Sequence, residues 1–226
     1  MDAVPLPIDG PGRAAVEVVA AGAGATLPQA DDWDRVAAEV SVCTRCGLHR
    51  TRRHTVFGVG NRSAELLVVG EAPGADEDQQ GEPFVGRAGQ LLNAMLRALG
   101  SPRETVFIAN VLKCRPPRNR DPSPEEVDCC MPYLLRQIAL LRPRLMLAVG
   151  RIAAQNLLAT DTPIGRLRGS VHHFGADRTP LIVTYHPAYL LRSPLEKRKA
   201  WTDLKFVRAE LGRLRQETGA EHARGA

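Results

Sequence analysis

Residues 65–86 read "ELLVVGEAPGADEDQQGEPFVG", an apolar run that stops abruptly at a segment built of glycine, proline and acid. A run of this length, bounded by a turn-forming segment, has the size of a strand buried on both faces. Three more such runs follow: "VFIANV" (106–111), "LMLAV" (145–149) and "PLIVTY" (180–185). Between them stand segments with helical periodicity, "AGQLLNAMLRALG", "PSPEEVDCCMPYLLRQIALLRP" and "GRIAAQNLLA". Strands that alternate with helices imply an α/β fold, three layers deep, with a central four-stranded parallel sheet. Ligands of such sheets bind beyond the carboxyl ends of the strands. Three segments are expected there: the acidic stretch after the first run, "NVLKCRPPRNRDP" after the second, and "YHPAYLLRSP" after the fourth.

The flanks are less informative. Residues 1–30, rich in Ala, Gly, Pro and Val, carry no sustained period and read as a disordered extension. Asp31 to Val42, with Trp33, Val36, Ala37 and Val40 at helical spacing, suggests a short amphipathic helix that delivers the chain to "CTRC". The domain is expected over 31–214, with 215–226 as a frayed tail. No apolar stretch is long enough for a membrane span, and the N-terminus lacks a secretory pattern, so a cytoplasmic protein is expected. The formal charge is +5, from 30 Lys and Arg against 25 Asp and Glu. A polyanionic partner fits that balance without being required by it.

The acids are concentrated where a phosphate-binding loop would lie. Residues 70–86 hold four glycines, two prolines and five carboxylates. The segment lacks both G-x-G-x-x-G and the G-K-[ST] ending, and its carboxylates would repel a phosphate. Asp76 and Glu82 suit a solvated turn. Glu71, directly after a buried strand, is aimed at the crevice, where a carboxylate can orient water or favour a developing cation. His186 ends the fourth strand, and the Leu190, Leu191 and Arg192 that follow combine apolar wedges with a cation, as a protein that unstacks a base requires. Asn110 ends the second strand with an amide able to read a base edge, and Phe84 offers a stacking surface. Their bland alternatives are a capping Asn, a structural His and core Phe and Leu.

Cys43 and Cys46 form a C-x2-C pair, with Cys114, Cys129 and Cys130 further along. In a reducing compartment four such thiolates suit a tetrahedral zinc site or an iron–sulfur cluster, and spacing does not choose between them.

Taken together, "GEAPGADEDQQGEPFVGRAGQLL", "NVLKCRPP" and "HPAYLLR" resemble the three signature segments of the family 4 uracil-DNA glycosylases, over about residues 33–212. The resemblance implies a repair enzyme that flips uracil out of single- or double-stranded DNA and hydrolyses its N-glycosidic bond, working as a monomer. It implies a [4Fe–4S] cluster, in preference to zinc, on Cys43, Cys46, Cys114 and Cys130, the last matching the family's C-x-P-Y-L context and leaving Cys129 spare. It also implies uracil contacts from Asn110, Phe84 and the Ala72 position, and a histidine, His186, that donates toward uracil O2. Glu71 and Glu77 are implied as the family's catalytic motif acids, Glu71 near the sugar and Glu77 positioning water or crowding the uracil C5 so that thymine is excluded. Ala72 stands where cluster-free uracil glycosylases carry a catalytic aspartate, which leaves Glu71 as the preferred water-positioning group. Arg115, Arg118, Arg120 and Arg192 are expected on phosphates, with Leu190 and Leu191 as wedges. The short "RPPRNRDP" contains no histidine, so covalent trapping of product is not expected. The rival reading is a non-catalytic uracil-DNA-binding module braced by a metal cluster. A zinc deaminase is disfavoured because its H-x-E…P-C-x-x-C signature is missing.

Overall fold

The computed structural model describes residues 29–224, with side-chain detail over 33–217, so the extension expected for 1–30 lies almost wholly outside the described residues. The four apolar runs all become strands: β2 (Leu66–Gly70), β3 (Phe107–Asn110), β4 (Leu145–Val149) and β6 (Thr179–Thr184). They pair in parallel in the order β3-β2-β4-β6. The sheet nonetheless has six strands and not four, because β1 (Val59–Gly60) and β5 (His172–Phe174) add antiparallel edges to β3 and β6. Both extra strands are short and partly exposed, so they lack the apolar signal that marked the others.

Alternate residues of each strand point into different layers. Leu67, Val69, Ala109, Met146, Ala148 and Val183 pack under α1 (Gln29–Ser41), α4 (Pro124–Leu141) and α5 (Arg151–Leu158). On the opposite face Leu66, Val68, Ile108, Leu145, Leu147 and Ile182 meet α3 (Arg87–Leu99), α7 (Pro187–Arg192) and α8 (Lys197–Arg224). Every residue of β2, β3 and β4 is buried, which explains why their sequences run apolar without alternation. A short α6 (Ile164–Leu167) precedes β5. The last helix, α8, continues to Arg224 through most of the segment expected to fray. Among the described residues no helix is long and apolar enough to cross a membrane.

From β2 the chain passes to β3 on one side, then returns across β2 to β4 on the other. That reversal opens a crevice at the carboxyl ends of β2 and β4. The acidic stretch begins there, and it is partly helical: α2 (Ala75–Gln80) interrupts what reads as a continuous loop.

Candidate active site

A cleft of about 690 Å³ opens at this point, lined by Glu71, Ala72, Glu77, Phe84, Asn110 and His186 together with Asp121, Arg151, Tyr185, Tyr189 and Arg192. Its floor is made by two side chains that meet over bare backbone. Asn110 ends β3, Phe84 folds in from the acidic stretch, and both lie against Gly70. A Cβ at Gly70 would collide with Asn110 Oδ1 and with the Phe84 ring, so glycine is required by the close approach. Asn110 is buried, and among the described residues its Oδ1 has no hydrogen-bond partner. A buried acceptor left open in this way is rare, and it points to a donor brought by a ligand.

Phe84 adopts φ 55°, a left-handed conformation that is unusual for a bulky residue. The surroundings hold it there. Glu77 accepts hydrogen bonds from the amides of Val85 (3.0 Å) and Gly86 (3.1 Å) through Oε1, and from Gly74 (3.0 Å) through Oε2. Arg103 donates to the carbonyls of Pro83 (2.6 Å) and Phe84 (3.3 Å) from the other side. Strain held by several partners is the pattern of a preorganised site. The Glu77 carboxylate is thus committed to backbone, a different task from the catalytic one expected for it. Asp76 and Glu82 are exposed as anticipated, but Asp78 is buried, accepting from the Arg53 amide at 2.9 Å.

His186 closes the opposite wall, its ring centroid 5.6 Å from that of Phe84. Its Nδ1 accepts the Ala188 amide at 3.1 Å, which places the proton of the neutral ring on Nε2. Burial, with Arg192 adding to it, depresses its pKa to about 4, so the imidazole is neutral at physiological pH. Glu71 behaves in the opposite sense. Burial first, then the nearby Asp121 charge, push its carboxyl up to about 7, against a smaller lowering by Arg151. Burial thus moves an acid and a histidine of one cleft in opposite directions, the pattern of a candidate functional site.

Of the expected DNA contacts, Arg192 lines this cleft, while Arg115 and Arg118 adjoin in sequence its lining residues Pro116 and Asn119. Arg192 is exposed on the cleft wall, Arg118 is exposed with φ 56°, and Arg115 Nε donates to Asn119 Oδ1 at 2.7 Å. Arg120 also lines the cleft, exposed and ion-paired with Glu126 (2.8 Å and 2.5 Å). Leu190 is corrected outright: it is 1% exposed, packed into the core from the buried face of α7, and it cannot act as a wedge. Leu191 is exposed, and Leu195, which the sequence reading passed over, is 91% exposed. Asp121 and Arg151, ion-paired at 2.6 Å, were also missed. Arg151 follows the end of β4, so the strand-end rule that selected Glu71 would have found it.

The cysteines gather in a second place. Cys43, Cys46, Cys114, Cys129 and Cys130 line one pocket with Val40, Leu48, Leu112 and Tyr133, and all five are free thiols. Cys114 and Cys130 are buried. Arg52 donates to Cys114 Sγ at 3.2 Å, the Lys113 amide to Cys130 Sγ at 3.1 Å, and Cys129 Sγ to the Arg45 carbonyl at 3.3 Å. Among the described residues no three His, Cys, Asp or Glu side chains converge as ligands of one metal ion.

Comparison with known proteins agrees with this geometry. The family described as "Uracil DNA glycosylase superfamily" matches residues 57–205. The type-4 uracil-DNA glycosylase of Archaeoglobus fulgidus is 46% identical over 183 residues, 78% of this chain and 92% of the relative. Those of Pyrobaculum aerophilum and Saccharolobus solfataricus are 42% and 40% identical, over 76% and 80% of this chain and 91% and 87% of their own lengths. The chain belongs to the uracil DNA glycosylase superfamily and, within it, to the type-4 uracil-DNA glycosylases.

Proposed function

We propose that this protein excises uracil from DNA by hydrolysing the N-glycosidic bond, leaving an abasic site. The observation that carries the reading is that Asn110, whose buried Oδ1 has no hydrogen-bond partner among the described residues, lines the same cleft as Phe84 and a neutral His186. Uracil presents an N3–H donor beside the O4 acceptor, which a carboxamide complements with its oxygen and its NH2. Cytosine reverses both and is rejected. Phe84 supplies the stacking face, and Ala72 keeps the wall small.

In this mechanism the His186 Nε2–H donates to uracil O2 as negative charge collects on the departing base. A neutral donor suits this task, because it need not lose a proton of its own before or after cleavage. Glu71 faces the sugar, where in its ionised form it favours the oxocarbenium-like state and orients the attacking water. Glu77 acts through Phe84, holding the turn that presents the ring. Arg115, Arg118 and Arg192 take phosphates, and Leu191 or Leu195 occupies the gap left by the extruded nucleotide. The cleft is complete within one chain, which supports a monomer, and five free thiols suit a cytoplasmic setting.

The cysteine pocket fits a [4Fe–4S] cluster held by Cys43, Cys46, Cys114 and Cys130. Cys130 is buried with an amide on its sulfur, whereas Cys129 turns to a carbonyl, which supports Cys130 as the fourth ligand. Such a group braces the fold and takes no part in bond cleavage. Incubation with an oligonucleotide carrying one uracil, single-stranded or in duplex, is expected to release free uracil and leave an alkali-labile strand. A strand that is bound but stays alkali-resistant would overturn the enzyme reading in favour of the binding module.

A further inference from the structure

Lys113 is a buried charge that the proposed reaction does not use. It is 1% exposed, and among the described residues it forms no ion pair with a carboxylate. Its Nζ donates to the Asn110 carbonyl at 2.9 Å and to Gln137 Oε1 at 2.6 Å. Gln137, also fully buried, is anchored in turn by donating Nε2 to the Phe57 carbonyl at 2.9 Å. Neutral oxygens satisfy the hydrogen bonds of a buried ammonium, but they do not balance its charge.

Groups able to balance it lie on the cysteine side. The backbone of Lys113 touches Cys130 Sγ, Cys114 is its neighbour in the chain, and Lys113 itself lines the cysteine pocket. Arg52 brings a second cation to the same sulfurs through Cys114. Four protonated thiols would leave both cations uncompensated, whereas a metal–thiolate centre is anionic. We propose that Lys113 is a positioning residue linking the two sites: the anionic metal–thiolate centre holds its ammonium buried, and the ammonium fixes the carbonyl of Asn110, and so the base-reading amide. The inference rests on the cluster reading above. It gives a group with no step in the reaction a definite task in uracil recognition.

The test uses the purified full-length holoprotein and the variants Lys113→Met and Gln137→Glu. The readouts are iron per chain, the visible absorption band, the reduction midpoint of the cluster, and inhibition of uracil release by free uracil. Removal of the cation in Lys113→Met is expected to move the midpoint to more negative potential and to weaken uracil inhibition on the order of tenfold. Gln137→Glu adds a negative charge but keeps the lysine on Asn110, so its midpoint falls while uracil inhibition is retained. Full iron with an unchanged midpoint and unchanged inhibition in Lys113→Met overturns the proposal. Should that variant fail to fold, an unmoved midpoint in Gln137→Glu does the same. Failure of the underlying reading registers separately, as a wild-type protein without iron or visible band, and takes the proposal with it.

Discussion

Replacing Glu71 by glutamine should make the protein more stable while abolishing its chemistry, and the two effects should depend on pH in a defined way. Burial and Asp121 raise the carboxyl from 4.5 to about 7, so the ionised form is disfavoured in the folded state. At 1.36 kcal/mol per pH unit this is roughly 3 kcal/mol, or about 2–3 kcal/mol after allowance for partial solvent screening. Because the folded pKa lies above the unfolded one, the wild type loses stability as pH rises from 4.5 through 7 and loses no more beyond it. Glutamine, uncharged throughout, avoids that loss. The variant should therefore match the wild type near pH 4.5 and exceed it at pH 8 by about 5–10 °C in melting temperature for a chain of this size. Its uracil release should fall by about 10²–10⁴, as expected for loss of a group that orients water. Thermal unfolding at a series of pH values, alongside the oligonucleotide assay, measures both. A stability difference that is absent at pH 8, or that is the same at every pH, would refute the argument that Glu71 is held against its preference for water.

Three further outcomes follow from the same geometry. The acid limb of kcat/KM should lie near pH 7, set by Glu71, with no contribution from His186 until near pH 4; Asp121→Asn, which removes a raising charge and frees Arg151, should move that limb to lower pH. Asp203, 2% exposed, accepts the Thr184 hydroxyl at 2.7 Å and Arg168 at 2.7 and 2.8 Å, and Arg168 covers the Tyr185 ring at 4.3 Å. Asp203→Asn should cost about 3–5 kcal/mol in denaturant unfolding, as an unpaired buried cation is left behind, while the milder Thr184→Val should lower kcat more than it raises KM by loosening the strand end that carries His186. Leu195→Ala should alter stability by less than about 0.5 kcal/mol yet slow excision from duplex DNA more than from single strands, whereas Leu190→Ala should cost about 2–5 kcal/mol in unfolding.

The parallel core was legible because each of its strands is buried on both faces and so is written as an unbroken apolar run. The edge strands were not, since two or three half-exposed residues such as Val59–Gly60 carry no period to detect. Helix α2 hid inside the acidic stretch for a related reason: its six residues are mostly polar, and its N-terminal turn is held by the Glu77 carboxylate on the Gly74 amide. The two leucines after His186 looked alike in sequence, but adjacent residues of a helix point about 100° apart, and Leu190 fell on the core side.

Chain order and residue type alone determined the fold class and the strand ends at which a cleft would form, and they singled out Glu71, Asn110 and His186, which share that cleft, and the cysteines, which share a second pocket. Only the tertiary structure decided their states. It left Asn110 Oδ1 without a partner, fixed the His186 proton on Nε2, raised Glu71, spent Glu77 on three amides and buried Lys113 between Asn110 and the cysteine pocket. Hydrogen-bond satisfaction and desolvation depend on which groups from distant segments share a volume, and residues 40 to 100 positions apart in sequence come together only when the sheet closes.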